Sequence, residues 1–219
     1  MNAFHNEDGM VILLAVAKAI QENKAYLSEV DGLIGDGDHG MNMNKGFKTF
    51  QNRFEQQQIS FTTGLNELGT ILLTEIGGSM GPIYGTILMD MAGAGDNLDE
   101  IDLTAFAHML TAGLEGLSAI VEAKKGDKTL VDTLDPAVEA LNQSVAEHIS
   151  FQHALEKMKK AAVRGKESTR ELVAKFGRSS RLGERSRGVL DAGATSCCIL
   201  LTTMADAILK LLVKEDVKC

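Results

Sequence analysis

Apolar residues recur at intervals of three and four along almost the whole chain, and this helical periodicity limits the fold more than any other feature. Eight segments show it, and none shows the period-two alternation of a half-buried strand. The segments cover residues 10–29, 41–57, 61–76, 81–94, 102–124, 129–148, 151–175 and 193–214. The sequence therefore predicts an all-α fold, and we expect residues 1–219 to form a single domain.

Composition agrees with this prediction and excludes several classes of protein. Only 2 of the 219 residues are proline and 5% are aromatic, whereas β-sandwiches use more of both kinds. The net charge of −8 disfavours binding to a nucleic-acid backbone. The longest apolar run near the start, residues 10–17, falls short of the ~20 residues that a membrane span needs, and no lysine or arginine precedes it. We therefore expect a cytoplasmic protein without a nucleic-acid or membrane partner.

Four connections between the predicted helices are rich in glycine, small residues and charge. They follow the first, third, fifth and seventh helices, at residues 31–42, 77–81, 125–129 and 177–193. In an up-and-down helical bundle, alternate connections lie at the same end. The sequence therefore predicts that these four loops meet at one end of the bundle.

The first of these loops carries three carboxylates, Asp31, Asp36 and Asp38, in the pattern D-x4-D-x-D-H-G. Its glycines allow the tight backbone that would bring the carboxylates together. Converging carboxylates repel unless a cation neutralises them, and hard oxygen ligands favour Mg²⁺ or Ca²⁺. Ordinary turn chemistry with solvated acids is the alternative, but three acids in one short loop favour a metal site.

Established phosphate and calcium motifs do not account for this loop. Residues 35–40 match G-x-G-x-x-G, but no strand precedes them and no βαβ unit surrounds them. The calcium-loop pattern fails at Gly40, Met41 and Phe47. No G-x-x-x-x-G-K-[ST] sequence occurs in the chain.

The other loops carry weaker signals for an anion. Gly77 to Ser79 precede a helix start at Gly81-Pro82, which is typical both of an anion-binding helix N-terminus and of a plain cap. Asp191 to Ser196 also resemble a capped helix start. Four arginines lie in ten residues, and we expect most to be solvated or at an interface and one to reach a phosphate. They are Arg178, Arg181, Arg185 and Arg187.

Four stretches of the chain together resemble the nucleotide-binding L subunit of dihydroxyacetone kinases. They are residues 26–47, 77–86, 126–134 and 177–196, in the family's order and spacing. The patterns D-x4-D-x-D-H-G-x-N-M and G-R-x-S-x-L-G-E-R-S are the most specific. The resemblance implies an eight-helix antiparallel barrel with ADP or ATP bound by loops at one end.

The resemblance also implies roles for individual residues. Two Mg²⁺ ions would be held by Asp31, Asp36 and Asp38 and would bridge the nucleotide phosphates. Arg178 would take part in phosphoryl transfer and contact the nucleotide. The other residues implied at the nucleotide are His39, Gly40, Met41, Asn42, Ser79, Met80, Leu130, Asp191, Ala192 and Gly193.

In this family the phosphoryl group passes to a short hydroxyketone that a separate K subunit binds. The donor is ATP in one branch; in the other, bound ADP is rephosphorylated by a phosphotransferase-system protein. A homodimer of this chain is a further partner that the sequence allows. Two other functions remain as alternatives, namely a metal-dependent phosphohydrolase with His39 as the residue that activates water, and a nucleotide-loaded module that regulates a partner.

Three departures from the family pattern bear on the nucleotide. Met80 replaces a small polar residue, so one phosphate contact is weakened or passes to a backbone N–H. Residues 120–122 replace an R-G-K stretch, which removes a contact on the adenine side. Ala192 replaces a proline, a smaller change. Together they suggest a paralogue with its own K-type partner and ketose.

Overall fold

The computed structural model describes residues 3–216, and side chains as far as residue 213. Its helices are α1 (Met10–Glu22), α2 (Lys24–Gly32), α3 (His39–Phe54), α4 (Phe61–Glu75), α5 (Met80–Ala94), α6 (Leu103–Ile120), α7 (Val131–Ala146), α8 (Phe151–Ser168) and α9 (Ala192–Asp216). Two short strands, β1 (Ala3–His5) and β2 (Glu100–Asp102), and two 3-10 helices, Asn6–Asp8 and Arg178–Ser186, complete the described part. The predicted all-α fold class is confirmed.

Each of the eight predicted segments forms helix, but the first is divided into α1 and α2. Asn23 lies at the break, with a φ of −94° and a ψ of 6°. Its backbone N–H and its side-chain Nδ2 both donate to the carbonyl of Ala19, at 3.1 Å and 2.9 Å. An asparagine side chain that binds nearby backbone in this way competes with helix continuation. The described residues therefore contain nine α-helices where eight were predicted.

The expectation that the chain has no strand was wrong in one place. Strands β1 and β2 pair in antiparallel register, with Ala3 opposite Asp102 and Phe4 opposite Ile101. Strands of three residues are too short to show a period-two pattern. The buried Phe4 ring packs edge-on against Phe61, with centroids 5.5 Å apart, so this ribbon ties the beginning of the described chain to α4.

Eight of the helices form a closed ring. Helix α1 packs against α3, each helix from α3 to α8 packs against the next in sequence, and α9 packs against both α8 and α1. Helix α2 packs against α3 and α9. One continuous apolar core fills the ring, with Phe47, Phe50, Phe106 and Phe151 among its fully buried side chains. This closed arrangement agrees with the expected barrel.

The four glycine-rich loops meet at one end, as their alternation along the chain predicts. The connections after α2, α4, α6 and α8 all contribute residues to a single cavity. Other connections use polar caps: Ser60 accepts from the N–H of Thr63 at 3.1 Å before α4, and Asp102 accepts from the N–H of Ala105 at 2.8 Å before α6.

Two helices are long and apolar enough to cross a membrane by length and composition alone. They are Leu103–Ile120 and Ala192–Val213. Core helices of globular proteins pass the same test, and both of these helices pack within the ring, α6 against α5 and α7, and α9 against α1 and α8.

Helices α7 and α8 approach closely next to the loop that leads into α7. Pro136 lies inside α7 and has no N–H to donate to the carbonyl of Asp132, one turn earlier. That carbonyl oxygen faces Gly165 of α8, where a Cβ atom would lie only 2.1 Å away. The carboxylate of Asp132 accepts from the backbone N–H groups of Gly126 and Thr129, at 2.5 Å and 2.8 Å, so this contact supports the loop as well as the helices.

We predict that Gly165→Ala lowers the free energy of unfolding by about 1–3 kcal/mol, because the added methyl group forces α7 and α8 apart. The control is Gly93→Ala on α5, where a Cβ atom would meet nothing within 4 Å. It should raise stability by up to about 1 kcal/mol through helix propensity. Thermal unfolding followed by circular dichroism measures both, and equal stability of Gly165→Ala and wild type would contradict the packing argument.

Candidate functional site

A cavity of about 400 Å³ opens at the end of the ring where the four glycine-rich loops meet. Its walls differ in chemistry. Carboxylates from the α2–α3 connection lie in its lining together with Val121, Ala123 and Leu130 from the α6–α7 connection, which we call the apolar wall. Such a volume, with apolar walls and a few polar groups, is typical of a small-ligand site.

The carboxylates of Asp31, Asp36 and Asp38 converge; we call them the acidic cluster. Each offers one oxygen, and these oxygens all lie within 4.8 Å of one another. The loop can fold this tightly because Gly35 leaves room for the Asp31 carboxylate, which a Cβ atom would approach to 2.3 Å, and because Gly37 adopts a φ of +77°. Three carboxylate oxygens at this separation fit Mg²⁺, which takes hard oxygen ligands and shares its remaining positions with water and phosphate.

Arg178 contacts the acidic cluster directly. Its guanidinium Nη1 donates to Oδ2 of Asp36, a contact that joins the 3-10 helix of the α8–α9 connection to the α2–α3 loop. The arginine side chain is otherwise exposed. In the described part of the chain, this guanidinium is the cation paired with the cluster.

Helix α3 begins at His39, directly after the acidic cluster, so its N-terminal end is directed at the carboxylates. His39 and Asn42 line the cavity. Gly40 and Met41 are not among the lining residues: Gly40 packs against α2, where a Cβ atom would lie 2.0 Å from the carbonyl of Lys24, and the Met41 side chain is exposed. A site built on this turn would use its backbone N–H groups, which carry positive partial charge.

His39 belongs to a buried hydrogen-bond network below the cavity. Its Nε2 lies 2.8 Å from Oγ of Ser196, which lies 2.7 Å from the hydroxyl of Tyr84. The Tyr84 hydroxyl also donates to the carbonyl of Gly193 at 3.2 Å. Burial lowers the pKa of His39 to about 4, although the Asp31 carboxylate opposes that shift. Burial also raises the pKa of Tyr84 well above its usual value. The network is therefore neutral and joins α3, α5 and α9.

The N-terminus of α9 forms another part of the lining, with Asp191, Ala192 and Gly193. The Asp191 carboxylate caps the helix by accepting from the N–H of Ala194 at 2.7 Å. Burial raises the pKa of Asp191 to about 6, against the effect of this hydrogen bond. Asp191 is thus a structural cap whose backbone borders the cavity.

Ser79 and Met80 line the cavity at the start of α5. The Ser79 hydroxyl makes no capping bond to its own helix, which leaves it available to a ligand. Met80 is the first residue of α5, and its side chain packs partly against the core. The backbone N–H of a first helical residue has no partner within the helix. This geometry favours the alternative in which a backbone N–H replaces the missing side-chain donor.

The lining includes twelve of the fourteen predicted site residues. They are Asp31, Asp36, Asp38, His39, Asn42, Ser79, Met80, Leu130, Arg178, Asp191, Ala192 and Gly193.

Sequence reasoning missed Tyr84, Lys128 and Phe176, and it missed the contact of Ser196 with His39 and Tyr84. Tyr84 and Ser196 lie within residues 77–86 and 177–196 but at positions typical of helix interior, so only the fold reveals their contact. Lys128 lies within residues 126–134, where nothing in the pattern indicates burial.

Comparison with known proteins gives a consistent result. A family model described as the DAK2 domain matches residues 33–206. The ADP-binding subunit DhaL of PEP-dependent dihydroxyacetone kinase 1 from Listeria innocua is 37% identical over 186 residues, which are 84% of this chain and 88% of that protein. The ADP-binding subunit DhaL of the PEP-dependent dihydroxyacetone kinase of Escherichia coli is 37% identical over 183 residues, 82% of this chain and 86% of that protein.

A solved structure shares the fold. The dihydroxyacetone kinase from C. freundii, in complex with AMP-PNP and Mg²⁺, superposes with a TM-score of 0.67 over 89% of this chain at 21% identity. This chain spans 33% of that protein. With the family model and the two bacterial subunits, these matches show that the chain belongs to the DAK2-domain family, as a DhaL-type subunit of the dihydroxyacetone kinases.

Proposed function

We propose that this chain is the nucleotide-binding subunit of a ketose kinase and holds Mg²⁺-ADP or Mg²⁺-ATP in the cavity between the acidic cluster and the apolar wall. The observation that carries the proposal is the acidic cluster itself. Three converging carboxylates would repel a bare phosphate, so they are useful at a nucleotide only when cations lie between the two. The spacing of these carboxylates in the sequence predicts that they converge, and all three line the same cavity.

The two sides of the cavity suit the two ends of a nucleotide. The phosphates would lie toward the acidic cluster, Arg178 and the N-termini of α3 and α5, where N–H groups and cations meet. The base would lie against the apolar wall, where Phe176 also lines the cavity. An apolar lining binds the faces of a base mainly through dispersion and burial rather than through hydrogen bonds to its edge.

The metal would supply charge neutralisation of the transferring phosphoryl group, and we propose that the acidic cluster holds two Mg²⁺ ions. Arg178 would orient the terminal phosphate, since a guanidinium can donate two parallel hydrogen bonds to phosphate oxygens. To do so its side chain must leave Asp36. Ser79 and the first N–H groups of α5 would fix the phosphates in place.

Two relatives that match this chain over most of their own length are named as ADP-binding subunits of PEP-dependent kinases. This favours ADP as a resident carrier that a phosphotransferase-system protein recharges, rather than exchangeable ATP. The acceptor would be dihydroxyacetone or a similar short hydroxyketone bound by a separate K-type subunit. We propose a cytoplasmic location for the assembly.

Charged and apolar groups around the cavity support docking of that partner at the same end. Arg181 and Arg185 are exposed and have no ion pair within the described residues, and Phe176 is partly exposed at the cavity. Arg187 differs from them: its Nε pairs with Glu184 at 3.0 Å and its Nη1 donates to the carbonyl of Glu171. The expectation that most arginines are solvated or at an interface therefore applies to Arg181 and Arg185.

The phosphohydrolase alternative loses support from the environment of His39. A general base works best with a pKa near the working pH, whereas His39 has a pKa of about 4 and its Nε2 already binds Ser196.

An experiment distinguishes the kinase from the regulatory module and from the hydrolase. The chain is mixed with a K-type subunit, dihydroxyacetone and either ATP or a phosphoryl relay; a kinase forms the sugar phosphate, a hydrolase releases only inorganic phosphate, and a module forms neither.

We predict that Asp38→Asn abolishes Mg²⁺-dependent ADP binding and phosphoryl transfer while helicity and the melting temperature are retained. Asp38 lies in the loop before α3 and contributes little to the core, and losing one of three like charges relieves repulsion. Calorimetry with and without a chelator measures the binding. The control, Asp99→Asn, removes an exposed acid from the α5–α6 connection at residues 95–102 and should leave binding unchanged. Chelator-independent ADP binding by wild type would contradict the metal-bridged site.

We predict that Arg178→Gln raises the affinity of the nucleotide-free protein for Mn²⁺ by roughly two- to fivefold, as expected when a competing exposed ion pair is removed. Electron paramagnetic resonance measures free Mn²⁺ directly. Arg181→Gln removes the same charge from the same 3-10 helix without a contact to Asp36, so its affinity should stay near that of wild type. An equal gain in both variants would attribute the effect to net charge alone.

We predict that the His39 imidazole stays neutral in the folded apo protein down to about pH 5, because burial lowers its pKa to about 4. An unfolded histidine takes up its proton near pH 6.5, so His39 makes the folded state lose stability as the pH falls from 6.5 toward 4. Nuclear magnetic resonance of labelled histidines, assigned with a His39→Gln variant, follows the titration. A midpoint near 6.5 in the folded protein would restore His39 as a candidate base.

A further inference from the structure

Lys128 combines two unusual features in the α6–α7 connection. Its backbone adopts a φ of +61°, in the left-handed region that costs a side-chain-bearing residue free energy. Its side chain is only 1% exposed. A buried ammonium and a disfavoured backbone both persist only where the surrounding structure compensates for them.

The compensation comes from two other segments of the chain. The Lys128 ammonium donates to the carbonyl of Thr169, just after α8, and to the carbonyl of Val189, just before α9, the latter at 2.6 Å. The carboxylates of Asp191 and Asp132 lie near enough to favour the charged form, although burial lowers the pKa of Lys128 overall. One side chain thus joins three segments that border the cavity.

Thr169 continues the connection toward α9. Its Oγ1 accepts from the backbone N–H of Asp191 at 3.0 Å, and Thr169 is fully buried. Asp191 in turn caps α9 through Ala194. The cavity residues Leu130, two positions after Lys128, and Gly193 are therefore held relative to each other through Lys128, Thr169 and Asp191.

Packing alone does not explain a lysine at this position. A buried ammonium pays a desolvation cost, and an apolar side chain of similar volume often stabilises a protein as well or better. The ammonium instead offers directed hydrogen bonds to two carbonyls at once. Lys128 borders the cavity, but it is only 1% exposed and its ammonium already donates to two carbonyls, so it acts on a ligand mainly through the backbone it holds.

We infer that Lys128, together with Thr169, is a positioning residue that sets the apolar wall against the N-terminus of α9 and so fixes the base side of the nucleotide cavity. This inference rests on the proposed function. It separates the two sides of the site, because the acidic cluster lies at the end of α2 and in the α2–α3 connection, to which Lys128 makes no hydrogen bond.

The test compares Lys128→Met with Lys125→Met in the full chain. Lys125 lies in the same connection, pairs with Glu139 on the surface at 3.1 Å, and loses the same charge in the control. Calorimetry measures Mg²⁺-ADP, Mg²⁺-pyrophosphate, which has no nucleoside, and Mn²⁺ alone. In Lys128→Met we expect ADP binding to weaken by about tenfold, equivalent to about 1.4 kcal/mol. Pyrophosphate and Mn²⁺ affinities should stay near wild type, and Lys125→Met should change none of the three.

Two results would overturn the inference: ADP affinity unchanged in Lys128→Met, or an equal loss of ADP, pyrophosphate and Mn²⁺, which would mean general structural damage. Failure of wild type to bind ADP would instead overturn the proposed function and the inference with it. If Lys128→Met does not fold, Thr169→Val carries the test, since it keeps the shape of Thr169 and removes its bond with the N–H of Asp191 together with a local bond to the carbonyl of Lys166 within the last turn of α8. It should show the same selective loss of ADP affinity, and wild-type affinity for ADP would overturn the inference.

Discussion

The packing of α9 against α1 is the contact on which the rest of the structure depends. It closes the ring, because every other neighbouring pair in the ring is consecutive along the chain or, for α1 and α3, separated only by α2. The same helix begins at the cavity, where Ala192 and Gly193 line it and Ser196 bonds to His39 and Tyr84. Helix α9 therefore both closes the ring and supplies one wall of the cavity, so a chain whose last helix is undocked lacks both.

Closure of the ring also brings together the charged groups at the cavity. The acidic cluster comes from the first part of the chain and Arg178 from the last, and they meet only when the ring is closed. Without a metal, the guanidinium moderates the repulsion among the three carboxylates. On the proposed function, Mg²⁺ would compete with the guanidinium for Asp36, so binding of Mg²⁺-nucleotide would be coupled to movement of Arg178.

Much of this arrangement could be predicted from the sequence because it depends on patterns that are local or periodic. Apolar spacing predicts the helices, and the alternation of glycine-rich loops predicts that they share one end. The break at Asn23 could not be predicted, since it depends on one side chain competing for the carbonyl of Ala19. The burial of Lys128 could not be predicted either, because its partners are backbone carbonyls about 40 and 60 residues away. Every residue has a backbone carbonyl, so the sequence does not indicate which ones a side chain will contact.

Two of the three departures from the family pattern fall at the first residue of a helix. Met80 and Ala192 are the first residues of α5 and α9, and at such positions the free N–H groups belong to the backbone whatever the side chain is. On the proposed function, Asp36, Asp38 and Arg178 would instead act through side-chain atoms, so a change at these residues would alter the chemistry of the phosphate side. A change at residue 80 or 192 would leave the backbone N–H groups in place and would be compatible with the proposed nucleotide binding.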